Sequence, residues 1–234
     1  MNSAIIPAQP CEKLRYDWYA RHKEVKKYIS RNPVELAFVG DSITHLFGGF
    51  PEYDGSVAED VWKHYYGHRN PINLGFGWDR TQQMLWRIDN GELDGITPKL
   101  VVVMAGGNNL LVGNAPVNTP DEIVEALKLL CDRILQKTPT SQILLLHVFP
   151  RGQTNMDPLR INIDKINCLI RTEMAGRRNV TLLDIGSSFL NPDGSISTEI
   201  MADYVHLTRK GYCIWAEKME SALSDILDTQ PCPK

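Results

Sequence analysis

The sequence predicts an α/β fold, a three-layer sandwich in which helices cover both faces of a central five-stranded parallel sheet. Two observations predict it. Five short apolar runs lack polar alternation, which is typical of strands buried on both faces. Amphipathic segments stand between these runs, and strands that alternate with helices form parallel sheets through right-handed crossovers.

The chain of 234 residues shows no internal repeat, no low-complexity segment and no linker long enough to divide it. A chain of this length can build one sizeable core. We therefore expect a single domain over 1–234, with 1–33 as an N-terminal helical extension packed on it.

Each strand prediction rests on a run rich in leucine or β-branched residues, the composition that strands favour. The first run is VELAFVG at 34–40, and the others follow at 72–76, 99–106, 142–150 and 180–186.

The segment 119–137 carries a full set of helix signals. Thr119 can cap its start and Pro120 suits the first turn. One apolar stripe follows at helical spacing, formed by Ile123, Leu127, Leu130 and Ile134. The same reasoning predicts helices near 11–30, 56–66, 79–90, 157–175 and 209–227.

Charge and composition argue against several classes of partner. The formal net charge is -3, and no cluster of lysine and arginine is present, so nucleic acid is not expected to bind. No apolar stretch reaches the roughly 20 residues that span a bilayer, so we expect no integral membrane contact. The N-terminus lacks a signal-peptide pattern. The chain as given is expected in the cytoplasm, or in the periplasm or outside the cell if a signal was removed.

The 5 cysteines are scattered, without a CxxC pair and without histidines at metal spacing. We expect free thiols, no complete disulfide framework and no bound metal.

Polar residues and glycines follow the first three predicted strands, at 40–42, 75–79 and 106–109. In an open parallel sheet, ligands bind outside the carboxyl ends of the strands. We therefore expect these three stretches to share one edge of the sheet and to form the site.

A nucleophilic serine needs a base, and the base works best when an acid fixes its tautomer. Asp203 and His206 stand three residues apart in DYVH, a spacing that can bring the carboxylate to one ring nitrogen while the other faces Ser42. The sequence thus offers Ser42 as nucleophile, His206 as base and Asp203 as the orienting acid. Taken alone, GDS is equally consistent with a strand-to-helix turn capped by Asp41 or Ser42.

Acyl transfer also needs hydrogen-bond donors for the oxyanion of the tetrahedral intermediate. The amide of Ser42, at a predicted helix start, is one candidate. An amide of the loop GFGWD and the side chain of Asn108 are the others.

Four short motifs carry a family resemblance. GDS in VGDSIT, N-x-G in NLGFGWDRT, G-x-N in GGNN and D-x-x-H in DYVH resemble, in order, the four blocks of the SGNH (GDSL-type) esterases and lipases. The resemblance extends over roughly 34–227. Further segments, among them VFPRG, DPLR and HLTRKGY, look most like the catalytic-subunit-like esterases of the platelet-activating factor acetylhydrolase group.

The resemblance implies a flavodoxin-like SGNH fold, the triad Ser42, His206 and Asp203, an oxyanion donor in Asn108, and no cofactor. Two positions depart from the pattern. The family usually has a glycine amide as donor before the Asp of the second block, where this sequence has Trp78. Any non-proline residue keeps its amide, so we expect Trp78 to fill that oxyanion position and its indole to wall the pocket.

The second departure is Gly107, which stands where the acetylhydrolase subunits carry a threonine that helps to confine the acyl group. Their other two acyl-pocket positions fall on Ile43 and Val205, which remain bulky. The resemblance therefore implies a small acyl group, with extra room at Gly107.

Several neighbouring residues have simpler interpretations. Asp79 is expected to be the N-cap of the following helix, and Asn109 to stabilise its loop. Four residues of the first helix are expected to pack it against the body, with lining of the cleft rim as the alternative: Trp18, Tyr19, Arg21 and His22. An α/β-hydrolase elbow is a weaker interpretation, because Gly40-Asp-Ser42-Ile-Thr44 lacks the second glycine of G-x-S-x-G.

The sequence analysis thus favours a serine esterase that hydrolyses short-chain, mainly acetyl, esters, with O-acetyl groups on carbohydrate as first choice. Lysophospholipase, platelet-activating-factor-acetylhydrolase-like and thioesterase activities are the alternatives, and a catalytically silent carbohydrate-binding module is the rival from another class. The expected partner is a small-molecule or glycan ester, and the resemblance suggests a homodimer.

Overall fold

The computed structural model describes residues 1–10, 14–111 and 117–227. The strands are β1 (Leu36–Gly40), β2 (Pro71–Gly75), β3 (Leu100–Met104), β4 (Gln142–Leu146) and β5 (Val180–Leu183). The helices are α1 (Trp18–Ile29), α2 (Ser42–His45), α3 (Glu59–Tyr66), α4 (Thr81–Asp89), α5 (Pro120–Lys137), α6 (Pro158–Glu173) and α7 (Arg209–Leu227).

The five strands form one parallel sheet in the order β2-β1-β3-β4-β5. Leu36 of β1 pairs with Pro71 on one side and with Leu100 on the other. The predicted five-stranded parallel sheet is confirmed. Four strands lie within the predicted runs, and β2 begins at Pro71, one residue before its run. The helix predicted near 11–30 corresponds to α1, which begins at Trp18. Residues 11–13 of that prediction lie outside the described residues.

Side chains alternate between two hydrophobic cores because successive residues of a strand point to opposite faces. Ala37 and Val39 of β1 belong to the core that α1, α4, α5 and α6 cover. Leu36 and Phe38 belong to the core that α3 and α7 cover. Helices on both faces give the three predicted layers.

Two glycines allow the short helix α2 to lie directly against the strand ends. A Cβ on Gly40 would lie 2.0 Å from Thr44 Oγ1, and a Cβ on Gly75 would lie 2.3 Å from the backbone nitrogen of His45. Neither position has room for a side chain, so glycine at both positions is what brings Ser42 to the carboxyl edge of the sheet.

Helix α1 is attached to this edge by a buried arginine. The Arg21 guanidinium donates to the carbonyl oxygens of Gly75 at 3.0 Å, Asn73 at 3.1 Å and Pro51 at 2.9 Å. Trp18 and His22 are also buried, so the packing prediction holds for them and for Arg21. It is wrong for Tyr19, which is 43% exposed.

Three cysteines, Cys131, Cys168 and Cys213, are free thiols, and Cys11 and Cys232 lie outside the described residues. Over the ranges described, no cluster of His, Cys, Asp and Glu could hold a metal ion. No helix in those same ranges has the length and apolarity needed to cross a bilayer.

Candidate active site

The structure brings Ser42, His206 and Asp203 together in one hydrogen-bonded line. Ser42 Oγ lies 2.9 Å from His206 Nε2, and His206 Nδ1 lies 2.7 Å from Asp203 Oδ2. A carboxylate only accepts hydrogen bonds, so Nδ1 carries the proton and Nε2 accepts from the serine hydroxyl. This is the arrangement that a base needs to take the serine proton.

Ser42 owes its position to the start of α2. Asp41 is the N-cap, and its carboxylate accepts a hydrogen bond from the Ile43 amide at 3.0 Å. Burial raises the pKa of Asp41. Because Asp41 is the N-cap, Ser42 is the first residue of α2. Its amide has no partner within the helix.

The loop before α7 holds the acid and the base. Asp203 Oδ1 accepts from the amides of His206 at 2.7 Å and Val205 at 3.1 Å. Partial burial acts to raise the pKa of Asp203, but the hydrogen bonds from His206 and Val205 outweigh it and lower the pKa below its ordinary value. The carboxylate therefore stays charged and keeps the imidazole oriented.

The loop 76–79 presents one unpaired amide beside the serine. Phe76 donates to the Gly40 carbonyl at 3.1 Å, and Asp79 donates to the Phe76 carbonyl at 3.1 Å. Gly77 donates to His45 Nδ1 at 3.2 Å. The Trp78 amide has no hydrogen-bond partner in the described part of the chain.

Trp78 has a φ of +69°, in the left-handed region where glycine is favoured. A side chain in this region costs about 1–2 kcal/mol. The indole lines the open cleft that also contains Ser42 and His206, and Trp78 is 49% exposed.

Asn108 lies across the site on the 3₁₀ turn that follows β3. It is 6% exposed, and its Nδ2 donates to the backbone carbonyl of Asp79 at 3.0 Å. This bond ties the third strand end to the loop 76–79. Asn109 is also buried and donates to Thr81 Oγ1, Gln82 Oε1 and Asn118 Oδ1, so it holds its loop as expected.

The prediction for Asp79 is wrong. Arg80, not Asp79, precedes the first residue of α4. The Asp79 carboxylate is buried and accepts from Trp18 Nε1 at 2.8 Å and from Arg87 Nε at 2.7 Å. Burial raises the pKa of Asp79 to about 7, against the lowering effect of Arg87. Tertiary partners have replaced the local capping bond that the sequence favoured.

A small cavity of about 20 Å³ adjoins Ser42 and is lined in part by Ile43, Gly107 and Val205. A single water needs roughly 10–15 Å³, so this space suits a group of methyl size. A larger cleft of about 510 Å³ opens on the other side of Ser42.

Comparisons with known proteins show the family of this chain. The sequence profile of the GDSL-like Lipase/Acylhydrolase family matches residues 38–214. The alpha2 subunit of platelet-activating factor acetylhydrolase IB from Rattus norvegicus is 31% identical over 232 residues, which cover 98% of this chain and 94% of that protein. The chain belongs to the GDSL-like lipase and acylhydrolase family.

Solved structures show the same fold. A GDSL-like lipase from Bacteroides thetaiotaomicron superposes with a TM-score of 0.69 at 18% identity, covering 88% of this chain and 98% of its own. The acetylxylan esterase Axe2 from Geobacillus stearothermophilus superposes with a TM-score of 0.60 at 21% identity, covering 83% and 94%. The family match makes the protein a hydrolase of GDSL type.

Sequence reasoning missed Arg151 in this GDSL-type hydrolase. Its side chain lines both the small cavity and the open cleft, and its Nη1 donates to the Gly107 carbonyl at 3.2 Å. Burial lowers the pKa of Arg151. The available signal was its place in VFPRG, just after β4 at the same sheet edge.

Sequence reasoning also missed His45 as a contact between two segments of the site. It is buried, and burial lowers its pKa to about 2, so the imidazole is neutral and its Nδ1 accepts from Gly77. His45 thereby joins helix α2, which carries Ser42, to the loop that carries Trp78.

Proposed function

We propose that this GDSL-type hydrolase is a serine esterase with Ser42 as nucleophile, His206 as general base and Asp203 as the acid that orients it. Ser42 Oγ attacks the ester carbonyl while His206 Nε2 takes its proton. His206 then gives that proton to the departing alcohol, which leaves the acyl group on Ser42. Water, activated by His206, attacks the acyl-enzyme and releases the carboxylic acid.

The proposed oxyanion hole has three donors: the amides of Ser42 and Trp78 and the side chain of Asn108. The hydrogen-bond pattern of the loop 76–79 supports the choice of Trp78, because the neighbouring amides of Gly77 and Asp79 are already used. Asn108 Nδ2 carries two hydrogens, and its bond to the Asp79 carbonyl fixes the carboxamide in place. Donors held in this way are worth most when charge develops on the oxygen.

The proposed acyl group is acetyl. The cavity of about 20 Å³ next to Ser42 supports this choice, and Arg151 closes the side that Gly107 leaves open. The relatives' names include an acetylhydrolase and an acetylxylan esterase. We take O-acetyl groups on carbohydrate as the first substrate class, with platelet-activating-factor-like and other lysophospholipid esters as the alternative.

The observation that carries the proposal is the line Ser42–His206–Asp203, with distances of 2.9 and 2.7 Å. A carbohydrate-binding module without turnover would have no need of it.

The test is hydrolysis of p-nitrophenyl acetate by the wild type and by Ser42→Ala. We expect turnover in the wild type and a loss of about 10⁴-fold or more in the variant. Absence of turnover in both proteins would favour a binding module. Equal turnover in both would remove Ser42 as the nucleophile.

A further inference from the structure

The Trp78 side chain offers an open aromatic surface. Trp78 is 49% exposed, and its indole stacks on no other ring in the described part of the molecule. Its backbone adopts a φ of +69°, a conformation that glycine would adopt without strain. The exposed half of the side chain is therefore available to a ligand in the cleft.

Trp78 lines the same open cleft as Ser42 and His206. Tyr16 and Tyr53 line the same cleft, with ring centroids 6.2 Å apart. The cleft of about 510 Å³ is much larger than the acyl cavity. It therefore has room for the alcohol half of an ester, and the surface it offers is aromatic with polar groups between the rings.

Charge decides which alcohol suits this surface. Arg15 and Arg151 line the cleft, and among the lining residues that the structure describes Asp203 is the one carboxylate. The Asp203 carboxylate is engaged by His206. This excess of positive charge disfavours a quaternary ammonium group, which aromatic cages otherwise bind well. A sugar ring has no such conflict, because one face carries C–H bonds that pack on an aromatic ring and its edge carries hydroxyls for the arginines.

We propose that the Trp78 indole is a stacking platform for a pyranose ring whose O-acetyl group is presented to Ser42. The proposal rests on the proposed esterase function and assigns the leaving-group side of that site. The backbone amide of Trp78 and its side chain then have separate roles, the amide toward the oxyanion and the indole toward the sugar.

The test compares kcat/KM for a mono-O-acetyl methyl xylopyranoside with kcat/KM for ethyl acetate. Any disturbance of the loop 76–79 affects the hydrolysis of both esters. The ratio of the two kcat/KM values therefore reports the contact between the indole and the sugar ring. We expect Trp78→Ala to lower the ratio about tenfold or more, mainly through KM, as for a buried aromatic contact. Trp78→Phe keeps a ring and should retain most of the ratio.

Trp78→Gly separates the loss of the indole from the backbone strain at position 78. It should lower the ratio as Trp78→Ala does, but melt at a higher temperature than Trp78→Ala, because glycine accepts the positive φ. Tyr19→Ala is the matched control, since Tyr19 is an exposed aromatic residue outside the cleft, and it should leave the ratio unchanged.

Calorimetry provides a readout without turnover. The acetylated xyloside should bind Ser42→Ala and bind the double variant Ser42→Ala/Trp78→Ala about tenfold more weakly. An unchanged ratio in Trp78→Ala, or a dependence on Trp78 that appears for acetylcholine instead of the sugar ester, would overturn the proposal. Failure of the esterase proposal would look different, because the wild type would then show no turnover or Ser42→Ala would keep it.

Discussion

At the residue scale, the acyl cavity is shaped by a glycine and an arginine from separate loops. Gly107 supplies space, and Arg151 occupies part of it while donating to the Gly107 carbonyl. The expectation of extra room at Gly107 was based on the missing threonine side chain alone. That expectation did not include Arg151, because the place of VFPRG after β4 indicates the sheet edge but not the direction of the arginine side chain.

Gly107→Thr tests this account of the acyl cavity. A Cβ at Gly107 would lie 3.7 Å from Val148 Cγ1 and 3.8 Å from Arg151 Nη1, which is ordinary contact, so the variant should fold. The added groups narrow the cavity, and we expect kcat/KM for p-nitrophenyl butyrate to fall about tenfold relative to the acetate.

The matched control is Gly67→Thr, because Gly67 has nothing near its Cβ position and lies outside the cavity. It should leave the butyrate-to-acetate ratio unchanged. An increased preference for butyrate in Gly107→Thr would show that Gly107 does not line the acyl cavity in solution.

At the element scale, a buried ionic chain connects α1, α4 and the loop 76–79. Arg87 contacts Asp79 at 2.7 Å and also pairs with Glu92. Glu92 in turn contacts His22 Nδ1 at 2.8 Å, and Trp18 donates to Asp79. Since the Asp79 carbonyl holds Asn108, this chain supports the loop 76–79, which contains the proposed oxyanion donor Trp78.

Arg87→Met should therefore destabilise the fold strongly. It leaves two buried carboxylates without their cation, which costs about 3–5 kcal/mol in the free energy of unfolding. Removing Arg87 also removes its lowering effect on the pKa of Asp79, which burial has already raised to about 7. The raised pKa favours the protonated carboxyl in the folded state, so the loss of stability should be smallest at acid pH and grow as the pH rises through about 7.

Urea unfolding at several pH values measures this effect. Arg133→Met is the matched control, because Arg133 pairs with Asp89 at 3.5 Å on the surface and such pairs are worth about 0–1 kcal/mol. A loss for Arg87→Met as small as that for Arg133→Met would contradict the supporting role of the chain.

At the scale of the whole molecule, the hydrophobic periodicity of the sequence was sufficient to predict the sheet and the main helices. The apolar runs and amphipathic segments depend on burial, which the sequence pattern reports directly. Asp79 was assigned wrongly because its partners, Trp18 and Arg87, are set by tertiary packing. The left-handed backbone of Trp78 was likewise beyond prediction, because its φ follows from how the loop 76–79 meets α2.

For the site, too, contacts between residues close in sequence were easier to predict than contacts between distant residues. Asp203 and His206 are close in sequence, so their pairing was predictable, and parallel strand ends meet at one edge. The 2.9 Å approach of Ser42 to His206 joins residues 164 positions apart, and it also requires α2 to lie close to β1 and β2. Gly40 and Gly75 make that approach sterically feasible.

Covalent trapping of the nucleophile tests the central claim most directly. The protein is treated with diisopropyl fluorophosphate, digested and mapped by mass spectrometry, while residual hydrolysis of p-nitrophenyl acetate is followed in parallel. We expect one phosphoryl group on Ser42, in proportion to the activity lost, and no label at this position in Ser42→Ala. Inactivation with the label on another residue, or full labelling of Ser42 with activity retained, would contradict the assignment of Ser42 as the nucleophile.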